Sequence, residues 1–182
     1  MSNDVRRFLR CEMPDKEDLD YYHANGFDWI PNSSTIRPTF AVAQQKLVGM
    51  TTIFSSWVSF DDYILCKVFG KEHEVFQDRL FRVKASNLTN ESKLALVSSA
   101  DRVFLPNKYP YNVSGNHWVL WYGCRDRVHS SDEINEHIQI ELVKITSKYQ
   151  NVLFDYIWYV NPKVSIPEFF HVHVFWQTFS TD

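Results

Sequence analysis

Cysteine is too scarce in this chain of 182 residues to build a disulfide framework: Cys11, Cys66 and Cys124 are widely spaced and odd in number. Any monomeric pairing would strand one of them, so three reduced thiols are expected. No stretch approaches the roughly 18 apolar residues that a membrane-spanning helix needs, and no membrane partner is expected. The start of the chain carries Asp4, Arg6, Arg7, Arg10 and Glu12 where a secretory signal would have a continuous apolar segment. The expectation is an intracellular protein, cytoplasmic or nuclear, in which the Asn-x-Ser/Thr triplets at Asn32, Asn87, Asn90 and Asn112 stay unglycosylated. An excess of one charge is missing too: 19 basic against 22 acidic side chains give a net charge of −3, which supplies no electrostatic footprint for nucleic acid. Repeats at solenoid periods and low-complexity tracts are absent, which excludes an extended array.

What is present is apolar and aromatic surface, 45% and 16% of residues, enough for one core without staples. Residues 1–45 are acidic around Asp15–Asp20 and punctuated by Pro31, Asn32, Ser33, Ser34 and Pro38, so they read as an irregular N-terminal arm before a single domain over 46–182. Ser59 three residues before Asp62 is a capping arrangement, and Gly70 is a helix stop, which predicts a short helix over 60–69. Residues 71–85 have mixed spacing and stay unassigned. Val103–Leu105 reads as a strand ending at Pro106, a turn follows through Asn112, and His117–Tyr122 is rich in strand formers. Ile134, Ile138, Leu142, Ile145 and Tyr149 form one stripe of a helix over 132–149, opened by the capping box of Ser130 and Glu133. Strands are predicted at Val152–Val160 and His171–Phe179. A helix between pairs of strands favours an α+β fold, a largely antiparallel sheet with the long helix packed on one face.

Side chains two apart on a strand share a face about 6.6–6.8 Å from each other, so His171 and His173 point the same way and Val172, Val174 and Trp176 point the other. Two imidazoles so placed could flank one phosphate, since a neutral imidazole is nucleophilic near pH 7. The plainer reading is an amphipathic strand whose histidines face solvent or a satisfied polar pocket. A zinc reading would add His117 or an acidic group, but no Cys-x-x-Cys or His-Glu-x-x-His spacing supports it, and neither metal nor cofactor is expected. His129-Ser130-Ser131 is a single His-x-Ser step, and without a second one the two-histidine phosphodiesterase class falls away. Trp118, Trp121, Tyr122, Trp158, Tyr159 and Trp176 are expected in the core, whereas Tyr109 and Tyr111 lie in a turn and could stack on a base or sugar.

The sequence Asn161-Pro162-x-x-Ser165 followed by His171-Val172-His173-Val174 resembles the histidine-triad (HIT) signature. Asn107-Lys108-Tyr109-Pro110-Tyr111-Asn112, then His117-Trp118-Val119-Leu120, is similar to the turn and strand that many HIT proteins place before their long helix, and the match covers residues 100–179. The chain also resembles, more closely, a largely fungal family described as N-acetylglucosamine-induced proteins, to which no established reaction attaches. The HIT resemblance implies a nucleotide or nucleotide-sugar phosphate as ligand. It makes His173 the nucleophile, His171 its hydrogen-bonding support, Ser165 a phosphate contact and Asn161 a nucleotide contact. Asn107, Tyr109, Tyr111 and His117, in the similar turn and strand, are further candidates around the same ligand, and the plainer reading of His117 is a strand-start residue hydrogen-bonded to backbone. A homodimer through sheet edges and helices is a family-level expectation. Two departures stand out. Phe175 occupies the place of the third histidine, where the related hexose-1-phosphate uridylyltransferases have Gln; Gln177, facing the same way, would be its partial substitute. The glycine-rich approach to the triad is replaced by Val164, Ile166 and Pro167, and Pro162 and Pro167 offer no N–H to a phosphate. The implied activity is a hydrolase or nucleotidyl transferase; the alternative is a non-catalytic ligand-binding or protein-interaction module on a degenerate HIT scaffold.

Overall fold

The structure, a computed structural model, describes residues 9–13, 16–32, 35–84, 89–98, 100–123, 129–149, 151–160 and 166–180. Among them the fold is mixed α and β, with five helices, a largely antiparallel five-stranded sheet and a two-stranded sheet. None of the described helices is long and apolar enough to cross a membrane.

The main sheet is made of β1 (Arg10–Glu12), β4 (Arg102–Pro106), β5 (Asn116–Tyr122), β6 (Val152–Val160) and β7 (His171–Ser180), in the order β1-β6-β7-β5-β4. Every neighbouring pair is antiparallel except β1 with β6. Residues His171–Trp176 are all buried, because β7 is the central strand and both of its faces are covered. On one face Val172, Val174 and Trp176 share a core cluster with Ile134, Ile138 and Leu142 of α5 (Ser131–Thr146). Full burial of side chains of this size stabilises by about 1.5–3 kcal/mol each. The Ser130 hydroxyl caps α5 by accepting the Glu133 N–H at 3.2 Å. The helix stops at Thr146, short of the predicted end, and Tyr149 is 54% exposed.

The other face of β7 meets residues that the sequence reading left as an irregular arm. That region contains β1, α1 (Lys16–Ala24) and the first turns of α2 (Phe40–Ser56), and it is here that the expectation is corrected. Three residues of β1 are too few to show alternation, yet they pair along β6 in register Arg10 with Tyr156 through Glu12 with Trp158. Leu19 of α1 packs with Trp29, Ile30, Ile157 and Phe175 in a second cluster. In α2 apolar residues occur all round: Phe40, Leu47, Val48 and Phe54 are exposed and only Ile53 is buried, so no clean amphipathic stripe is visible in the sequence.

The predicted short helix is α3 (Phe60–Lys67), with the Ser59 hydroxyl accepting the Asp62 N–H at 3.1 Å. The unassigned stretch after it is a hairpin of β2 (His73–Val75) and β3 (Phe81–Val83), turned through Asp78 and Arg79 at positive φ. Helix α4 (Asn90–Leu94) follows. Residues from α2, α3 and β3 form a third cluster around Trp57, Leu65, Val83 and Phe169, which stands beside the start of β7 and walls one side of a cleft.

Candidate functional site

Strand pairing sets up the base of the cleft. Along β5, Val119 lies opposite His173, Trp121 opposite His171 and His117 opposite Phe175, so these side chains share one face of the sheet. His171 stacks on the Trp121 indole with ring centres 4.5 Å apart, and His173 stacks on Tyr159 at 5.2 Å. In front of His171 and His173 opens a cleft of ≈ 620 Å³, a size suited to a small-molecule ligand. Ala43, Lys46, Met50 and Ile53, spaced three, four and three residues apart, present one face of α2 to it. Tyr63, Ile64 and Lys67 of α3 and the turn residues Asn107, Lys108, Tyr109 and Tyr111 close the remaining sides. Gly49 allows this approach: a methyl group there would collide with the Tyr109 hydroxyl.

The charge of the lining is one-sided. Arg37, Lys46, Lys67 and Lys108 line the cleft, and no described carboxylate does, although the whole chain carries a net charge of −3. A concave, partly apolar wall concentrates such a field, so the cleft is an attractor for anions. None of these four cations was given a role from the sequence: Arg37, Lys46 and Lys67 have no motif around them, and Lys108 lies in the Asn107–Asn112 turn without a part of its own.

Hydrogen bonds assign the protons of the imidazoles. The Tyr111 backbone N–H donates to His117 Nδ1 at 3.0 Å, so a neutral His117 carries its hydrogen on Nε2. That nitrogen lies 2.9 Å from His173 Nδ1, which therefore accepts, leaving His173 with its hydrogen on Nε2. The Asn107 carbonyl oxygen accepts the Tyr109 N–H at 2.9 Å, which turns its amide nitrogen toward the two rings, 3.1 Å from His117 Nε2 and 3.5 Å from His173 Nδ1. His171 has the opposite tautomer. Its Nδ1 donates to the Phe169 carbonyl at 2.9 Å, and the neutral ring keeps a lone pair on Nε2. The cleft thus meets one N–H donor, from His173, and one basic nitrogen, from His171.

Burial is the main reason these rings are neutral. It pushes His117 down to about 2, helped by His173, and His173 down to about 3, helped by His171 and Lys46. His171 is also held below its ordinary value by burial, partly countered by the Phe169 carbonyl. The consequence for stability follows in sign. The unfolded rings bind protons below their ordinary 6.5 while the folded ones do not, so the stabilisation is complete above that pH and is lost as pH falls toward the folded values. Urea denaturation between pH 7.5 and 5 is expected to show stability falling with a slope approaching about 1.4 kcal/mol per pH unit for each such histidine. A flat profile over that range would contradict the neutral assignment.

The structure distributes the residues singled out in the sequence unevenly. His171, His173, Asn107, Tyr109 and Tyr111 line the cleft together, and His117 stands behind His173 as its hydrogen-bond donor. Asn161 and Ser165 lie outside the described residues. Phe175 is 0% exposed and packed with Leu19, Trp29 and Ile30, its ring 4.3 Å from that of His117, so the place of a third histidine belongs to the core. Gln177 is half-buried opposite Asp155 and is not among the lining residues, which corrects the expectation that it substitutes for that histidine at the ligand. The strand alternation was right, but β7 runs out of the cleft beyond His173. No protein-family model matches this chain, and no curated protein or solved structure matches it either.

Proposed function

We propose that this cleft binds the phosphate of a nucleotide or nucleotide sugar on a HIT-like scaffold, and that it transfers or hydrolyses the phosphoryl-linked group through histidine. The observation that carries the reading is a cleft with four cations, no described carboxylate and two neutral imidazoles at its base. Tyr109, Tyr111 and Trp121 add aromatic surface for a base or sugar. The α5 stripe on the opposite face of β7 agrees with the long helix that a HIT-like fold implies.

The tautomers divide the chemistry differently from the sequence resemblance, which made His173 the nucleophile. Here His171 Nε2 has the lone pair. It attacks phosphorus, a P–N bond forms, and the P–O bond to the leaving group breaks with its electron pair on the departing oxygen. His173 Nε2–H donates to a phosphoryl oxygen as its charge grows, and Lys46 neutralises the charge. Water then attacks phosphorus, the P–N bond breaks with its electron pair returning to His171 Nε2, and the proton lost by the water passes to the released phosphate or to solvent.

The test is calorimetric titration of the protein with dinucleoside polyphosphates, nucleoside phosphoramidates and nucleotide sugars. Saturable binding is expected for at least one class, weakened about tenfold or more by Lys46→Ala, a change of roughly 1.4 kcal/mol. Absence of binding across the panel overturns the proposal. A second reading, a binding module without turnover, is favoured by the core position of Phe175; ligand binding with no product and no labelled histidine is its signature.

A further inference from the structure

A second cluster of ligating side chains stands apart from the cleft. His129 immediately precedes the Ser130 cap of α5, and Glu133 and His137 follow at spacings of four on the first turns of the helix. One ligand atom from each lies within 4.8 Å of the others. We propose that they form a binding site for a divalent transition ion of the zinc type.

Two imidazole nitrogens and one carboxylate oxygen are the donor set of a zinc site with its fourth position open. Zinc bonds of about 2.0–2.2 Å require donors within roughly 3.5 Å of one another, so closing from the present spacing needs a side-chain adjustment of about 1 Å. His129 Nδ1 and Glu133 Oε2 are 3.2 Å apart and meet that requirement as they stand. The neighbours hold the rings in place. The Tyr122 ring packs on His129 at 4.0 Å, its hydroxyl lies 3.2 Å from His137 Nδ1, and Phe170 stacks on His129 at 5.4 Å. The Glu133 side chain is 24% exposed, which leaves an entry path from solvent.

The Ser130 cap engages only the backbone N–H of Glu133, an i,i+4 pair accounts for His129 with Glu133, and the Tyr122 hydroxyl accounts for only Nδ1 of His137. The site is separate from the anion cleft. Tyr122 belongs to the core cluster under α5, whereas its neighbour Trp121 lines the cleft on the other face of the sheet. Since Phe170 immediately precedes His171, an ion here would anchor the start of β7 from the opposite side.

The test uses the full chain stripped with a chelator and titrated with Zn²⁺ by calorimetry and with Co²⁺ by visible absorption. One equivalent is expected to bind, with the intense cobalt bands of four-coordinate geometry. At about a hundredfold excess over Kd, zinc should raise the unfolding midpoint by roughly 5–10 °C. His137→Ala is expected to lower affinity at least about a hundredfold. Glu133→Gln, at a partly exposed position that the fold tolerates, should lower it at least about tenfold, while His173→Ala leaves the cobalt spectrum unchanged. No stoichiometric binding at micromolar metal, or affinity unchanged from the unsubstituted protein in His137→Ala and Glu133→Gln, overturns the site.

Discussion

Asp62→Ala is expected to destabilise the protein by about 3–5 kcal/mol, the amount associated with stranding one partner of a buried ion pair. The Asp62 side chain is 0% exposed and that of Lys93 is 7% exposed, and the two meet at 2.9 Å. The same carboxylate accepts the Val83 N–H at 2.8 Å and the Ser59 hydroxyl at 2.5 Å. One side chain therefore joins α3, β3 and α4, and its loss leaves an ammonium, an amide and a hydroxyl without their acceptor. Thermal unfolding should shift downward on the order of 10 °C for a chain of this size. Asp62→Asn should cost less, because an amide oxygen still accepts from Val83. Exchanging both partners for apolar residues of similar volume, Asp62→Leu with Lys93→Met, should recover much of the loss. A change in the urea-derived stability below about 1 kcal/mol for Asp62→Ala would refute this account. The consequence reaches the cleft, since α3 supplies Tyr63, Ile64 and Lys67 to its wall.

The second large effect concerns the labelled intermediate. If His171 Nε2 forms the P–N bond, then incubation with a substrate from the nucleotide panel and rapid quenching should yield an acid-labile phosphoramidate on the protein. His171→Ala should abolish it entirely. His173→Ala removes a hydrogen-bond donor and should slow labelling by about 10²–10³-fold without removing the acceptor atom. Intact-mass measurement and phosphorus NMR distinguish the two variants. The opposite pattern, label surviving in His171→Ala and lost in His173→Ala, would restore the assignment that the HIT resemblance implies. The structural ground for expecting the first pattern is the chain of donors from Tyr111 N–H through His117 to His173 Nδ1, set against the Phe169 carbonyl that takes the His171 Nδ1 proton.

Periodic and local features were readable from residue order. The stripe Ile134, Ile138 and Leu142, the hydroxyl caps at Ser59 and Ser130, and the strand Val152–Val160 all depend on neighbours within a few residues, and all are found where expected. The same holds for His171 and His173 sharing a face, because strand alternation is a property of the backbone alone. Elements without a period escaped: the three residues of β1, the all-round apolar α2, and the hairpin of β2 and β3 carry no repeating pattern to read.

The character of the cleft belongs to another level. Arg37, Lys46, Lys67 and Lys108 come from separate segments, and nothing along the chain marks Arg37, Lys46 or Lys67 as a neighbour of His171. Their convergence arises because α2 and α3 pack beside the start of β7 through Ile53, Ile64 and Leu65, not through the charged residues that ride on those helices. The His173 tautomer has the same origin. Whether His173 offers an N–H or a lone pair is settled by the group against its other nitrogen, His117, which is itself fixed by the Tyr111 N–H, a pairing across β5, β7 and the turn at Tyr111; His171 takes its tautomer locally, from the Phe169 carbonyl two residues away. Residue identity made phosphate chemistry conceivable at His171 and His173, while burial, the collected cations and the direction of the His173 proton were set by distant parts of the chain meeting in space.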